Sequence, residues 1–166
     1  EWLKLMRKIG RPINPWIEGF ILAVGEKYVD NFNPKAEQYA YGTIRSVELA
    51  SRAIDGINEP EIIGMLVGGF MGAAAGQDLK AFIALSAEVD LHKLLDNPSM
   101  IKKYTDRIGM IYSICVNLIQ KAVEGDDKTR EKVFQVLEQV GADEYALFVI
   151  NGILRTKGAP ATVTIL

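Results

Sequence analysis

A single cysteine and a single histidine are all that 166 residues offer to thiol, disulfide or imidazole chemistry. Cys115 has no partner within the chain, so no intramolecular disulfide framework can hold the fold. It lies in the apolar stretch "IYSICVNLI", which predicts a buried structural thiol rather than a reactive one. His92 follows Glu88 in "EVDLHKLLD", where the two could share a helix face. No third residue joins them at metal-ligand spacing, so a surface or ion-paired histidine is the expectation and no metal is predicted. The Glu-x-x-His pairs of di-iron bundles are missing, and the lone histidine has no nucleophile in a recognisable elbow. These absences point away from an enzyme. No cofactor and no small-molecule substrate are expected.

Long apolar runs are missing too. The longest candidate, Ile62 to Gly76, is bounded by Glu59, Glu61 and Asp78 and falls short of the ~20 residues a spanning helix needs. A membrane span is therefore not expected. Strand patterning is confined to the last residues, "TVTIL". A strong charge of one sign is also lacking. The net charge is −2, with the acidic excess concentrated in the middle of the chain. No zinc knuckle, RNP motif or phosphate loop is found.

What is present is helix punctuation. Asn14-Pro15, Asn33-Pro34 and Asn97-Pro98 each place a capping side chain before a proline suited to the first helical turn. Asp78, Asp127 and Asp143 are further cap candidates, and Gly10, Gly56, Gly125, Gly141 and Gly158 fall where helices should stop. The pattern predicts helices over 1–9, 15–31, 34–55, 60–76, 78–95, 98–124, 127–140 and 143–156. The fold class is all-α: one compact helical domain, residues 1–166, of roughly eight helices. It opens with a basic amphipathic arm (1–14) and ends in an extended apolar tail (159–166).

Glycine is abundant in one place. In "GMLVGGFMGAAAG" it recurs as Gly64, Gly68, Gly72 and Gly76 along one helical stripe. Each glycine costs a helix roughly 1 kcal/mol against alanine, so a close contact must compensate. The partner is either a second helix of the same chain or another subunit. These four glycines, with the tail residues Val163, Ile165 and Leu166, are the candidate subunit contacts. The tail is expected to dock on apolar surface of its own domain or of a neighbour.

Basic residues form two further stripes. In "EWLKLMRKIGRP", Trp2, Leu5, Met6 and Ile9 share one helix face, and Lys4, Arg7, Lys8 and Arg11 the other. Gln38, Arg45 and Arg52 are seven apart on the third predicted helix, beside the small Gly42, Thr43 and Ser46, with Glu48 interrupting on an adjoining face. Lys102, Lys103 and Arg107 make a weaker cluster. Arg7, Lys8, Arg11, Arg45 and Arg52 are the candidate nucleic-acid-binding residues. Their contacts would be to backbone phosphates and would carry no base specificity.

The early basic helix and proline turn (Arg7, Lys8, Arg11, Pro12, Asn14-Pro15), followed by a compact helical bundle, resemble the coat proteins of filamentous and rod-shaped archaeal viruses. That resemblance implies DNA packaging by self-assembly into a virion. It makes the chain a non-enzymatic filament or capsid subunit that binds nucleic acid and copies of itself or a close paralogue. The alternative is a soluble cytoplasmic helical adaptor or accessory subunit of a larger protein complex. Whether the basic residues of the first and third predicted helices line one surface discriminates between the two.

Overall fold

The computed structural model describes residues 2–35 and 39–156, with the backbone alone at Arg7 and Glu26. Within them the fold is all-α, as the sequence predicts. The α-helices are α1 (Trp2–Lys8), α2 (Pro15–Val24), α3 (Ile44–Ala53), α4 (Pro60–Met71), α5 (Ala73–Leu85), α6 (Leu91–Asp96), α7 (Ile108–Glu124), α8 (Asp127–Val140) and α9 (Asp143–Thr156). Short 3-10 turns cover Gly25–Tyr28, Ser86–Glu88 and Pro98–Tyr104. No strand occurs among the described residues. The tail, including Val163, Ile165 and Leu166, and Gln38 lie outside them.

The central element is α7. Residues Met110 to Val116, with Leu118, Ile119 and Ala122, are buried on every side. A helix apolar all round belongs in the middle of a bundle, and here α2, α5, α8 and α9 pack around it. Two of its polar side chains are satisfied inside the bundle. The Ser113 hydroxyl donates to the Phe82 carbonyl at 2.9 Å, and Asn117 Nδ2 to the Ser113 carbonyl at 3.0 Å. Cys115 is 1% exposed, and burial pushes its thiol up to about 12. At pH 8 only on the order of one thiol in ten thousand would then be thiolate, the reactive form. A thiol reagent should therefore leave the folded protein unlabelled while a denatured sample reacts fully. Equal labelling of the two would contradict a closed core around α7.

Several predicted helices are shorter than the sequence suggests, each for a local reason. The 15–31 span ends at Val24, because Gly25 takes a left-handed φ of +70° and the chain tightens into a 3-10 turn. Among its described residues the 34–55 span is helical only from Ile44. Asn33 does not start a helix; its side chain accepts from the Lys35 amide at 3.0 Å and closes a short turn. Gly42 is then trapped beside Asn31, whose side chain accepts from the Gly42 amide at 2.6 Å and whose own amide donates to the Gly42 carbonyl at 3.1 Å. A Cβ at Gly42 would collide with the Tyr28 carbonyl, so only glycine fits at this contact. Thr43 and Ser46 form the capping box that starts α3.

The 78–95 span breaks at Leu85 and restarts at α6, which Asp90 caps through the Lys93 amide. Asp78 is no cap. It accepts from the Tyr28 hydroxyl at 2.5 Å and from Lys27 Nζ at 3.0 Å, and these two donors, Tyr28 foremost, hold its carboxyl below the ordinary value. The 98–124 span is a 3-10 turn followed by α7. Asp126, rather than Asp127, caps α8 by accepting from the Thr129 amide at 2.8 Å.

The glycine run is a hairpin. The predicted 60–76 helix breaks at Gly72, whose φ of +99° is open to glycine and strained for other residues. The chain reverses there, and α5 returns along α4. Gly64 and Gly68 face Gly76 so closely that a Cβ on Gly76 would lie inside the Gly64 carbonyl, 2.8 Å from the Gly68 nitrogen and 2.9 Å from its Cα. The close approach permitted by the stripe is therefore made inside the chain, between α4 and α5. On its inner side α4 buries Ile63, Val67 and Met71. On its outer side Met65 is 77% exposed and Gly69 has nothing within 4 Å of a built Cβ.

Candidate nucleic-acid interface

Three of the five arginine and lysine candidates meet at one point. On α3, Val47 and Ala50 turn into the core, as does Ile54 just past its end. Beside that buried face runs the stripe Arg45, Glu48, Arg52, at spacings that put the three side chains together on one helix face. Glu48 is 7% exposed, with its carboxylate at the floor of the cluster. Arg52 Nη2 reaches Glu48 Oε1 at 2.5 Å, and Arg45 Nη1 reaches Oε2 at 3.3 Å. Arg11 Nη1 stands 3.6 Å from Oε1. The three arginine side chains are 58–67% exposed over this carboxylate.

Arg11 is brought there by a clasp that the sequence does not signal. After α1 the chain turns through Gly10, at φ +71°, and the Arg11 amide donates back to the Met6 carbonyl at 3.0 Å. Three residues on, the Asn14 amide donates to Ser51 Oγ at 2.7 Å, and Asn14 Nδ2 donates to Asp55 Oδ1 at 3.0 Å. Both acceptors belong to α3 or its C-terminal turn. The same Asn14 caps α2 by accepting from the Trp16 amide at 3.0 Å. One asparagine thus starts α2 and ties the Arg11 segment to α3.

Glu48 is the residue that sequence reading misplaces. The sequence puts it on an adjoining face, as an interruption. It is instead the centre of the cluster, and the i to i+3 and i to i+4 spacings to Arg45 and Arg52 are the signal that could have found it. Lys8 is exposed on α1. The Arg7 side chain lies outside the described structure. Lys102 and Lys103 are exposed on their 3-10 turn, while Arg107 leans toward Glu88 at 3.4 Å. Glu88 and His92 fall on separate elements, and among the described residues no group of three histidine, cysteine or acidic side chains is placed to hold a metal.

The cluster's charge follows from its members: three guanidiniums and one carboxylate leave a formal +2 on an exposed surface. Each guanidinium carries five N–H donors in a planar fork. Glu48 occupies few of them, so most point to solvent and can receive anionic oxygens.

The apolar face of α1 docks only in part. Met6 is 5% exposed, but Leu5 and Ile9, one helical turn apart, are 54% and 52% exposed. No helix among the described residues is long and apolar enough to cross a membrane. No known protein family, no curated protein and no solved structure matches the chain.

Proposed function

We propose that this protein is a non-enzymatic structural subunit that self-assembles and coats nucleic acid, receiving backbone phosphates on the exposed surface where Arg11, Arg45 and Arg52 meet around Glu48. The observation that carries the reading is the convergence of arginines from the N-terminal segment and from α3 on one exposed patch. An adaptor would not need that convergence, whereas a phosphate-tracking coat would. Leu5 on α1, Ile9 in the turn after it and Met65 on α4 offer apolar contact points to neighbouring copies. The parallel with coat proteins of filamentous and rod-shaped archaeal viruses belongs to this proposal, as does residence in a virion.

The test is a charge-neutral triple variant, Arg11→Gln/Arg45→Gln/Arg52→Gln, measured against a labelled DNA duplex. Wild type should bind without sequence preference, and its affinity should fall steeply between about 20 and 300 mM salt. The variant should bind at least tenfold more weakly at low salt. Its salt slope should flatten by roughly 0.9 for each phosphate it no longer neutralises. Its melting temperature should fall, because the buried Glu48 carboxylate loses all three guanidiniums, so binding is compared at a temperature where circular dichroism shows both proteins folded. Negative-stain microscopy with the 260/280 nm absorbance ratio then reports whether assemblies carry nucleic acid. Wild type that ignores duplex at every salt concentration, or a triple variant that binds like wild type, would end this reading.

A further inference from the structure

The three arginines are not equivalent, and their geometry about Glu48 divides the work between them. Arg52 is held at hydrogen-bond distance, 2.5 Å, by an i,i+4 contact along one helix. Arg45 is looser at 3.3 Å, and Arg11, at 3.6 Å, makes no hydrogen bond to the carboxylate. One carboxylate carries one charge, and the nearest guanidinium cancels it. We propose that Arg52 is a positioning residue that neutralises the buried Glu48, leaving Arg11 and Arg45 as a two-arginine clamp for backbone phosphate, and that Glu48 is a built-in competitor that weakens binding at this surface. This rests on the phosphate reading given above and specifies how that site is tuned.

The competition follows from where the carboxylate sits. Glu48 lies under the guanidiniums, its side chain 10% exposed, while the arginines cover it from the solvent side. A phosphate arriving from solvent meets the outer N–H groups of Arg11 and Arg45 and must share their charge with Glu48. Arg52 reduces that sharing by holding the carboxylate through its shortest contact. The competing assignment makes all three arginines equal phosphate ligands with Glu48 merely aligning them. The two assignments differ in what happens when the Glu48–Arg52 pair is removed as a unit.

The experiment compares Glu48→Gln, Arg52→Gln and the double variant Glu48→Gln/Arg52→Gln with wild type, using a labelled DNA duplex titrated over a range of salt. If Glu48 competes, Glu48→Gln should bind about fivefold tighter at low salt, the size of one unit charge acting at about 4 Å in water. Its salt slope should steepen by about 0.9. Arg52→Gln should weaken binding, because Glu48 then turns to Arg45 and Arg11. The double variant keeps the net charge of the cluster and both clamp arginines, and should bind with wild-type affinity and wild-type slope. A side chain with only a packing role would move melting temperature but not salt slope.

A double variant that binds as weakly as Arg52→Gln would make Arg52 a direct phosphate ligand and overturn the division of labour. So would a folded Glu48→Gln protein that binds no tighter than wild type. The double variant replaces a charged pair by two amides that can still bond each other, so it keeps the comparison open if Glu48→Gln alone fails to fold. Wild type that fails to bind duplex would remove the phosphate reading itself. Wild type that binds, alongside a Glu48→Gln protein that binds no tighter, would remove only the present inference.

Discussion

Gly76→Leu is expected to lower the melting temperature by on the order of 10 °C or to prevent folding, the most severe single change available on the glycine stripe. Overpacking a core usually costs about 1–3 kcal/mol because neighbouring side chains swing aside. At Gly76 the neighbours are the Gly64 carbonyl and the backbone nitrogen and Cα of Gly68, which have no rotamer to change. The helices α4 and α5 would have to separate along the hairpin. That places the cost at the upper end of the range or above it, at roughly 2–4 °C per kcal/mol for a chain of this size.

The neighbouring glycines supply the controls. A Cβ on Gly68 meets Ala73 Cα at 3.7 Å and Gly76 Cα at 3.9 Å, which is ordinary contact, so Gly68→Ala should be tolerated. Gly69 has nothing within 4 Å, and Gly69→Ala should stabilise α4 by up to about 1 kcal/mol through helix propensity alone. Thermal melts of the three variants give the ranking. A Gly76→Leu protein that melts with wild type would show that α4 and α5 are not in close contact.

The contrast between α4 and α7 shows what the sequence could reveal. Glycine spacing discloses that some backbone approaches 64–76 closely, because only a helix cost offset by contact explains the composition. It does not disclose that the partner is the other half of the same run. That depends on Gly72 adopting a left-handed φ, and the third glycine of a four-residue spacing looks the same whether it continues a helix or reverses it. The bundle centre is more legible. "IYSICVNLI" is apolar at every helix face, and α7 is the helix buried on every side.

Caps are legible where a short polar side chain precedes a proline or an apolar run, as at Asn14. They mislead where the polar residue has a distant partner, as Asp78 has in Tyr28. The arginine surface is half legible. Its members can be named from charge and spacing, but their convergence depends on the Asn14 clasp to Ser51 and Asp55, contacts across 37 and 41 residues that no local pattern carries. Glu48 is visible in the sequence as a charge, but its burial is not, and burial is what makes it the centre of the cluster.

A second large effect is expected at the buried ion pair that closes the bundle. Glu18 on α2 is 1% exposed, and Arg155 on α9 reaches it with both terminal nitrogens, Nη1 to Oε2 at 2.6 Å and Nη2 to Oε1 at 3.5 Å. The third guanidinium nitrogen donates to the Asn151 carbonyl at 3.0 Å, which fixes the fork one turn back on its own helix. Arg155→Met keeps much of the apolar stem but takes the guanidinium away from the buried Glu18 carboxylate. Breaking such a pair from one side costs roughly 3–5 kcal/mol, whereas replacing both partners by apolar side chains is often neutral or stabilising. Arg155→Met should therefore melt roughly 10 °C or more below wild type. Glu18→Met/Arg155→Met should recover most of that loss. The pair also bears on the arginine surface, since Glu18 anchors the helix whose cap, Asn14, clasps the Arg11 segment to α3. Hydrogen exchange at the Trp16 and Glu18 amides should accelerate in Arg155→Met and return toward wild type in the double variant. An Arg155→Met protein within about 1 kcal/mol of wild type would mean that the pair is solvated in solution and that packing against α7, not charge, holds α2 to α9.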